Sequence, residues 1–380
     1  MNRTTAVSRV ALIRGEAGVK PAAIDKLLAD RAVPIVDGSK CTFIWRGEAD
    51  AVGVEHRVMG LPHPLPLRRV RGTDLWQATI ELPFGARVEY RLLIRRGTHV
   101  ENILDPLNPR IATGPMSETS VLQAAGYVSP AWAELDPSVP TGKRVDMSIK
   151  SRALRRAAPV TVYFPARLRE SARYPLLIVH DGGDYLKYVG MTTVLDNLMH
   201  QRLMADTVVA FTYPKDRVRE YAAGSAHSRF LTTELVPELE RTLPLRGDAK
   251  SRVIAGASFG GVASLATAVR APGFYGGLLL ESPSLRFTLN GEDHRGGPVF
   301  TPVVRFVNSV RAQPHVVTHR IFQTYGAFEP LAEPNRAMTG VLRKMTDELR
   351  VVEALDGHSW IAWRDRLLDG LSWLLPGDAA

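Results

Sequence analysis

The five residues Gly256-Ala257-Ser258-Phe259-Gly260 follow the apolar run Val253-Ile254-Ala255 and precede Gly261-Val262-Ala263-Ser264-Leu265-Ala266, a stretch of small helix formers. A buried strand, a sharp turn with glycine on either side and a helix able to lie close to a sheet are the layout of a nucleophile elbow. Serine is a weak nucleophile until a strained turn presents its hydroxyl beside a base, so the stretch makes Ser258 the candidate nucleophile of acyl-transfer chemistry. The plainer alternative is a glycine-rich strand-to-helix turn in an unrelated α/β protein.

The rest of the chain has to supply a fold around that turn. At 380 residues with 45% hydrophobic content it can bury a large core and is long for one domain. Residues 1–20 carry Arg3, Arg9, Arg14 and Glu16 and lack the apolar stretch of a signal peptide, and no segment has membrane-spanning length, so the cytoplasm is the expected compartment. Cys41 is the single cysteine, which excludes an intrachain disulfide and a cysteine-based zinc site. No set of His, Asp and Glu at ligand spacing calls for a metal, and no cofactor is expected. The net charge of +9 is spread along the chain in short arginine clusters without interleaved aromatics, which argues against nucleic acid and leaves an anionic small molecule as the expected partner.

Two halves differ in pattern. Residues 41–45, 53–58, 75–80 and 88–94 are rich in β-branched and aromatic residues and several alternate apolar with polar, as in a small all-β sandwich. A short amphipathic helix is expected at 21–32, and Asp105-Pro106-Leu107-Asn108-Pro109 reads as a rigid turn. Proline-rich residues 126–143 are read as a linker, dividing a β domain at 1–125 from a second domain at 144–380. In the latter, strands at 160–164, 176–180, 208–212, 253–255, 277–280, 320–324 and 350–354 alternate with helices at 192–203, 231–243, 261–269 and 334–348. That alternation specifies an α/β fold, a doubly wound and mostly parallel sheet covered by helices on both faces.

A serine nucleophile needs a histidine and an acid to orient it. His358 follows an apolar strand through the turn Asp356-Gly357 and precedes an amphipathic terminal helix; the alternative role is a turn histidine capping that helix. Glu329, after the strand and turn that end in Tyr325-Gly326, completes the order Ser, Glu, His. Its competitors are Asp356, Glu281 and Asp293. The oxyanion donors are expected to be the amide of Phe259 and one from Gly182 or Gly183, with a slight preference for Gly183. His180 and Asp181 are candidates for substrate contact, with a buried strand-end histidine and a turn aspartate as the alternatives. Arg286, Arg68 and Arg71 are candidates for meeting an anionic substrate.

These residues resemble those of the enterochelin esterase family within the wider esterase group of α/β-hydrolases. The likeness rests on His180-Asp181-Gly182-Gly183-Asp184-Tyr185-Leu186, the elbow itself, Tyr325-Gly326-Ala327-Phe328-Glu329-Pro330 and Asp356-Gly357-His358-Ser359-Trp360. Thr42-Phe43-Ile44-Trp45-Arg46 and the Asp105 to Pro109 element are similar to the immunoglobulin-like N-terminal domain of that family. The resemblance implies a cytoplasmic serine esterase that cuts ester or lactone bonds of an iron-loaded catecholate siderophore. The chain departs from the family at Glu281-Ser282-Pro283-Ser284-Leu285-Arg286-Phe287, in place of a serine-glycine-serine-aromatic run that lines the cleft. Two other readings remain open here: an esterase for carbohydrate-linked esters, and a binding protein that keeps the hydrolase fold without turnover.

Overall fold

The computed structural model describes residues 33–169, 171–288 and 297–377. The helix expected at 21–32 and the candidate acid Asp293 lie outside the described residues. The chain divides into two compact units, Met1–Val128 with Leu355–Gly357, and Ser129–Ala354 with His358–Ala380.

Among the described residues the first unit is all β and antiparallel. Its strands are β1 (Ile35–Asp37), β2 (Lys40–Arg46), β3 (Ala51–His56), β4 (Leu65–Arg69), β5 (Leu75–Glu81), β6 (Arg87–Arg96), β7 (His99–Ile103), β8 (Ile111–Thr113) and β9 (Glu118–Gln123). They run in the order β1-β2-β5-β4-β3-β6-β9-β8, with β7 also on β6. β4 joins two halves, pairing with β5 through Arg68 and Arg69 and with β3 through Leu65 to Leu67. Phe43 of β2 meets Tyr90 of β6 edge to face at 4.9 Å, so the halves pack against each other as the alternating pattern requires. The Asp105 to Pro109 element is a turn whose polar side chains are buried while Pro106 and Pro109 face outward: Tyr90 donates its hydroxyl to Asp105 at 2.6 Å, and Asn108 donates to the Val121 carbonyl at 2.9 Å.

In the second unit the strands are β10 (Lys143–Ser151), β11 (Arg156–Phe164), β12 (Leu176–Val179), β13 (Val208–Thr212), β14 (Arg252–Ala257), β15 (Gly277–Glu281), β16 (Thr318–Gly326) and β17 (Thr346–Ala354). Their order is β10-β11-β13-β12-β14-β15-β16-β17, antiparallel as far as β13 and parallel beyond it. The central strand Leu176-Leu177-Ile178-Val179 is buried throughout because both faces are covered. Leu176 and Ile178 enter one core and Leu177 and Val179 the other, the two-residue period of a strand. Helices Phe259–Arg270 and Thr301–Ala312 pack into the first core, Met191–His200 and Leu367–Leu374 into the second.

β10 was not expected, since its outward row of charged residues lacks an apolar run, and the expected linker ends where this edge strand begins. The helix Thr301–Ala312 was also missed, and the segment read as helix to 348 turns into strand at Thr346. No helix among the described residues is long and apolar enough to cross a membrane.

In a sheet of this order the strand sequence reverses around β12, and in open α/β sheets ligands bind beyond the carboxyl ends of the strands at such a reversal. Ser258, Gly182, Glu329 and His358 all follow such ends.

Candidate active site

β14 turns at Ser258 into the helix Phe259–Arg270, with φ 56° and ψ −117° at the serine. A side chain in that region costs on the order of 1–3 kcal/mol and persists only when its surroundings hold it. Here they do: the Ser258 amide donates to the Glu281 carbonyl at 2.9 Å, and the Ser284 amide donates to the Ser258 carbonyl at 3.0 Å. Close approach explains the glycines. A Cβ on Gly256 would stand 2.4 Å from the Gly260 carbonyl carbon, and one on Gly261 would stand 2.7 Å from Pro283 Cβ.

His358 Nδ1 lies 2.6 Å from Glu329 Oε2, with the carboxylate fully buried and the ring about one-fifth exposed. The other carboxylate oxygen accepts the Gly326 amide at 3.3 Å. An Nδ1–H donated to Glu329 leaves the Nε2 lone pair to act as base. Trp363 meets the imidazole edge to face at 5.0 Å and restricts the ring further. Ser258 Oγ is hydrogen bonded to Ser284 Oγ at 3.1 Å and not to His358. Nucleophile-to-base bonds often close only when substrate arrives. Sequence reasoning missed Ser284 as a partner of the nucleophile, although it lies in the run 281–287 that was expected to line the cleft.

Of the competing acids, Glu281 is fully buried and faces Tyr185, whose hydroxyl it accepts, and burial pushes its carboxyl up to about 8. A carboxyl kept neutral at physiological pH is a poor partner for an imidazolium. Asp356 belongs to the first unit and pairs there with Arg87 at 3.3 Å.

After β12 the chain enters a helical turn at Gly182 through Asp181, which holds φ 53° and ψ 43°. The leading amides of a helical turn lack partners within it, which leaves those of Gly182, Gly183 and Phe259 as candidate donors. A Cβ on Gly182 would meet Phe211 Cβ at 2.5 Å, while one on Gly183 would lie 3.3 Å from the Tyr213 ring.

The substrate-contact expectation for His180 gives way to its alternative. The residue is wholly buried, with Nδ1 3.0 Å from the Ala255 carbonyl and Nε2 3.0 Å from His227 Nε2. Burial, with the neighbouring His227, holds it well below the usual histidine range. Asp181 is likewise committed, its buried carboxylate paired with the partly exposed guanidinium of Arg217. Arg286 is half-buried, its guanidinium 4.8 Å from the Phe300 ring centroid, and the Phe300 ring meets that of Phe259 at a tilt, with centroids 5.2 Å apart. Arg68 and Arg71 belong to the first unit, Arg68 opposite Gln77 on β4 and Arg71 in the turn after it.

The chain is 25% identical over 336 residues to the iron(III) enterobactin esterase of Escherichia coli O6:H1, covering 81% of each chain. It is 27% identical over 376 residues to the iron(III) salmochelin esterase of the same organism, covering 89% of this chain and 88% of that one. Among solved structures, the ferric enterobactin esterase of Salmonella typhimurium superposes with a TM-score of 0.71 over 88% of this chain and 93% of that chain, at 22% identity, a likeness that shows the α/β-hydrolase fold with its N-terminal β domain. The model of the family described as "Putative esterase" matches residues 151–374, from the end of β10 to the last helix. The match spans more than half of the 380 residues and includes the elbow, Glu329 and His358, and the chain belongs to this family of esterases.

Proposed function

We propose that the protein is a serine esterase of the cytoplasm that hydrolyses ester or lactone bonds of an anionic substrate of the ferric catecholate siderophore class. The observation that carries the proposal is the 2.6 Å contact between His358 Nδ1 and the buried Glu329 carboxylate, which gives a strand-end histidine the orientation and charge partner of a general base.

In this reaction Ser258 Oγ attacks the ester carbonyl carbon while His358 Nε2 takes the hydroxyl proton. Glu329 stabilises the imidazolium, and the amides of Phe259 and Gly183, or Gly182 in its place, hold the oxyanion. His358 then gives the proton to the leaving alkoxide oxygen, and the acyl group stays on Ser258. Water, deprotonated by His358, attacks the acyl carbon; the acid leaves and the serine regains its proton.

Support for the substrate comes from the relatives that bear enterobactin and salmochelin esterase names, from the net charge of +9, and from Arg286 beside the aromatic pair that begins at Phe259. The iron of such a substrate is cargo. Cys41 is free and buried, which suits a reducing compartment.

The test compares the wild type with Ser258→Ala on a p-nitrophenyl ester and, by chromatography, on a ferric catecholate trilactone. The variant is expected to lose about a thousandfold or more in kcat on both substrates. Equal rates for the two proteins would remove the esterase reading, and an intact trilactone beside rapid p-nitrophenyl turnover would remove only the siderophore assignment.

A further inference from the structure

The oxyanion donors come from two loops that are far apart in sequence, and one guanidinium reaches both. Arg217 opens the short helix Arg217–Tyr221 after β13. Its Nε donates to Asp181 Oδ1 at 2.8 Å and its Nη2 to Asp181 Oδ2 at 2.7 Å, a planar two-point grip. The same Nη2 lies 3.4 Å from the carbonyl oxygen of Ala257. Asp181 is the residue before Gly182, and Ala257 the residue before Ser258. The Asp181 amide in turn donates to the Tyr221 hydroxyl at 3.2 Å, so one helical turn secures Asp181 at its backbone and its carboxylate.

Asp181 requires such a hold for two reasons. Its backbone sits at φ 53°, a region that a non-glycine residue keeps only under constraint. Its carboxylate is almost fully buried against the elbow, with Oδ2 3.3 Å from where a Cβ on Gly260 would stand. A bare negative charge there would oppose the negative charge that grows on the substrate oxygen. The Arg217 side chain is about one-third exposed and lies over Phe259, its carbon 5.9 Å from the ring centroid.

We infer that Arg217 is a positioning residue of the oxyanion hole: it fixes the Asp181 and Ala257 ends of the two donor loops and cancels the carboxylate charge beside them. The inference rests on the esterase reading for its catalytic meaning, and its structural part can be measured without turnover.

The experiment uses the full chain and p-nitrophenyl acetate, with Arg217→Met, Arg217→Lys and the double variant Asp181→Asn with Arg217→Met. Arg217→Met is expected to lower kcat by about tenfold to a hundredfold with KM within about twofold, the pattern of a group felt in the transition state. The double variant, which removes both charges, regains a large part of that loss. Arg217→Lys, which keeps the charge and loses the fork, falls between the two. Amide exchange read by mass spectrometry should speed up across residues 180–186 in Arg217→Met.

A kcat for Arg217→Met within twofold of the wild type would overturn the inference. So would a raised KM with kcat intact, which marks a substrate contact, or a double variant no faster than Arg217→Met. If Arg217→Met fails to fold, Arg217→Lys decides on the same readouts. Should the wild type show no Ser258-dependent turnover, the esterase reading fails by itself, and unchanged exchange at 180–186 is then the result that rejects the positioning role.

Discussion

At the scale of single residues, the site separates two buried glutamates by what each is bonded to. Glu329 receives an imidazole N–H and a backbone amide, whereas Glu281, at the end of the neighbouring strand, has among the described residues only the Tyr185 hydroxyl on its side chain and is raised by burial to about 8 from an ordinary 4.5. An acid whose pKa is higher folded than unfolded binds more protons in the native state between those values. Its favourable contribution is therefore complete below about pH 4.5 and is lost as pH rises toward 8. Glu281→Gln, with no proton to lose, removes this dependence. Between pH 5 and pH 8 the variant should gain on the wild type by about 3 kcal/mol, read as a widening difference in Tm of roughly 6–12 °C. A Tm difference that stays constant over that range would refute the assignment of Glu281 as the titrating group.

At the scale of elements, glycines mark where strands and helices touch. Gly256→Ala would drive a methyl group into the Gly260 backbone, so the helix Phe259–Arg270 must move off β14. The expected cost is about 2–3 kcal/mol in denaturant unfolding, together with loss of esterase activity. Gly340 in the helix Ala332–Leu342 has nothing within 4 Å of an added Cβ, and Gly340→Ala should stabilise by about 0.5–1 kcal/mol with activity unchanged. The reverse order of the two would contradict the packing described. What the sequence disclosed follows the same physics. The inner strands β12 and β14 were legible because burial on two faces demands unbroken apolar runs. β10 was not, because an exposed edge strand satisfies its backbone with few apolar side chains. The elbow announced itself locally, and the strand-end turns before Glu329 and His358, whose side chains the structure brings to 2.6 Å, were legible in the same way. Arg217 and Ser284 could not: their partners lie 36 and 26 positions away, and no local pattern records such a pairing.

At the scale of the whole molecule, the excess of nine positive charges acts beyond any one contact. A polyanionic ferric catecholate should be drawn toward such a chain and a neutral ester should not. Raising the salt from 0.05 to 0.5 M shortens the Debye length from about 14 Å to about 4 Å. KM for the ferric trilactone should rise severalfold over that range, while KM for p-nitrophenyl acetate stays constant. Equal salt dependence for the two substrates would show that net charge plays no part in capture.

The backbone at Ser258 carries a further consequence. Its φ of 56° is one that glycine adopts freely and serine resists, so the fold and the proposed reaction make opposing demands on this position. Replacement by glycine would relax the turn and leave the rest of the architecture in place, giving a protein at least as durable and chemically silent. If Ser258 is the nucleophile as proposed, loss of catalysis at this position is therefore downhill for stability, and a scaffold that outlasts its activity is the expected result of Ser258→Gly.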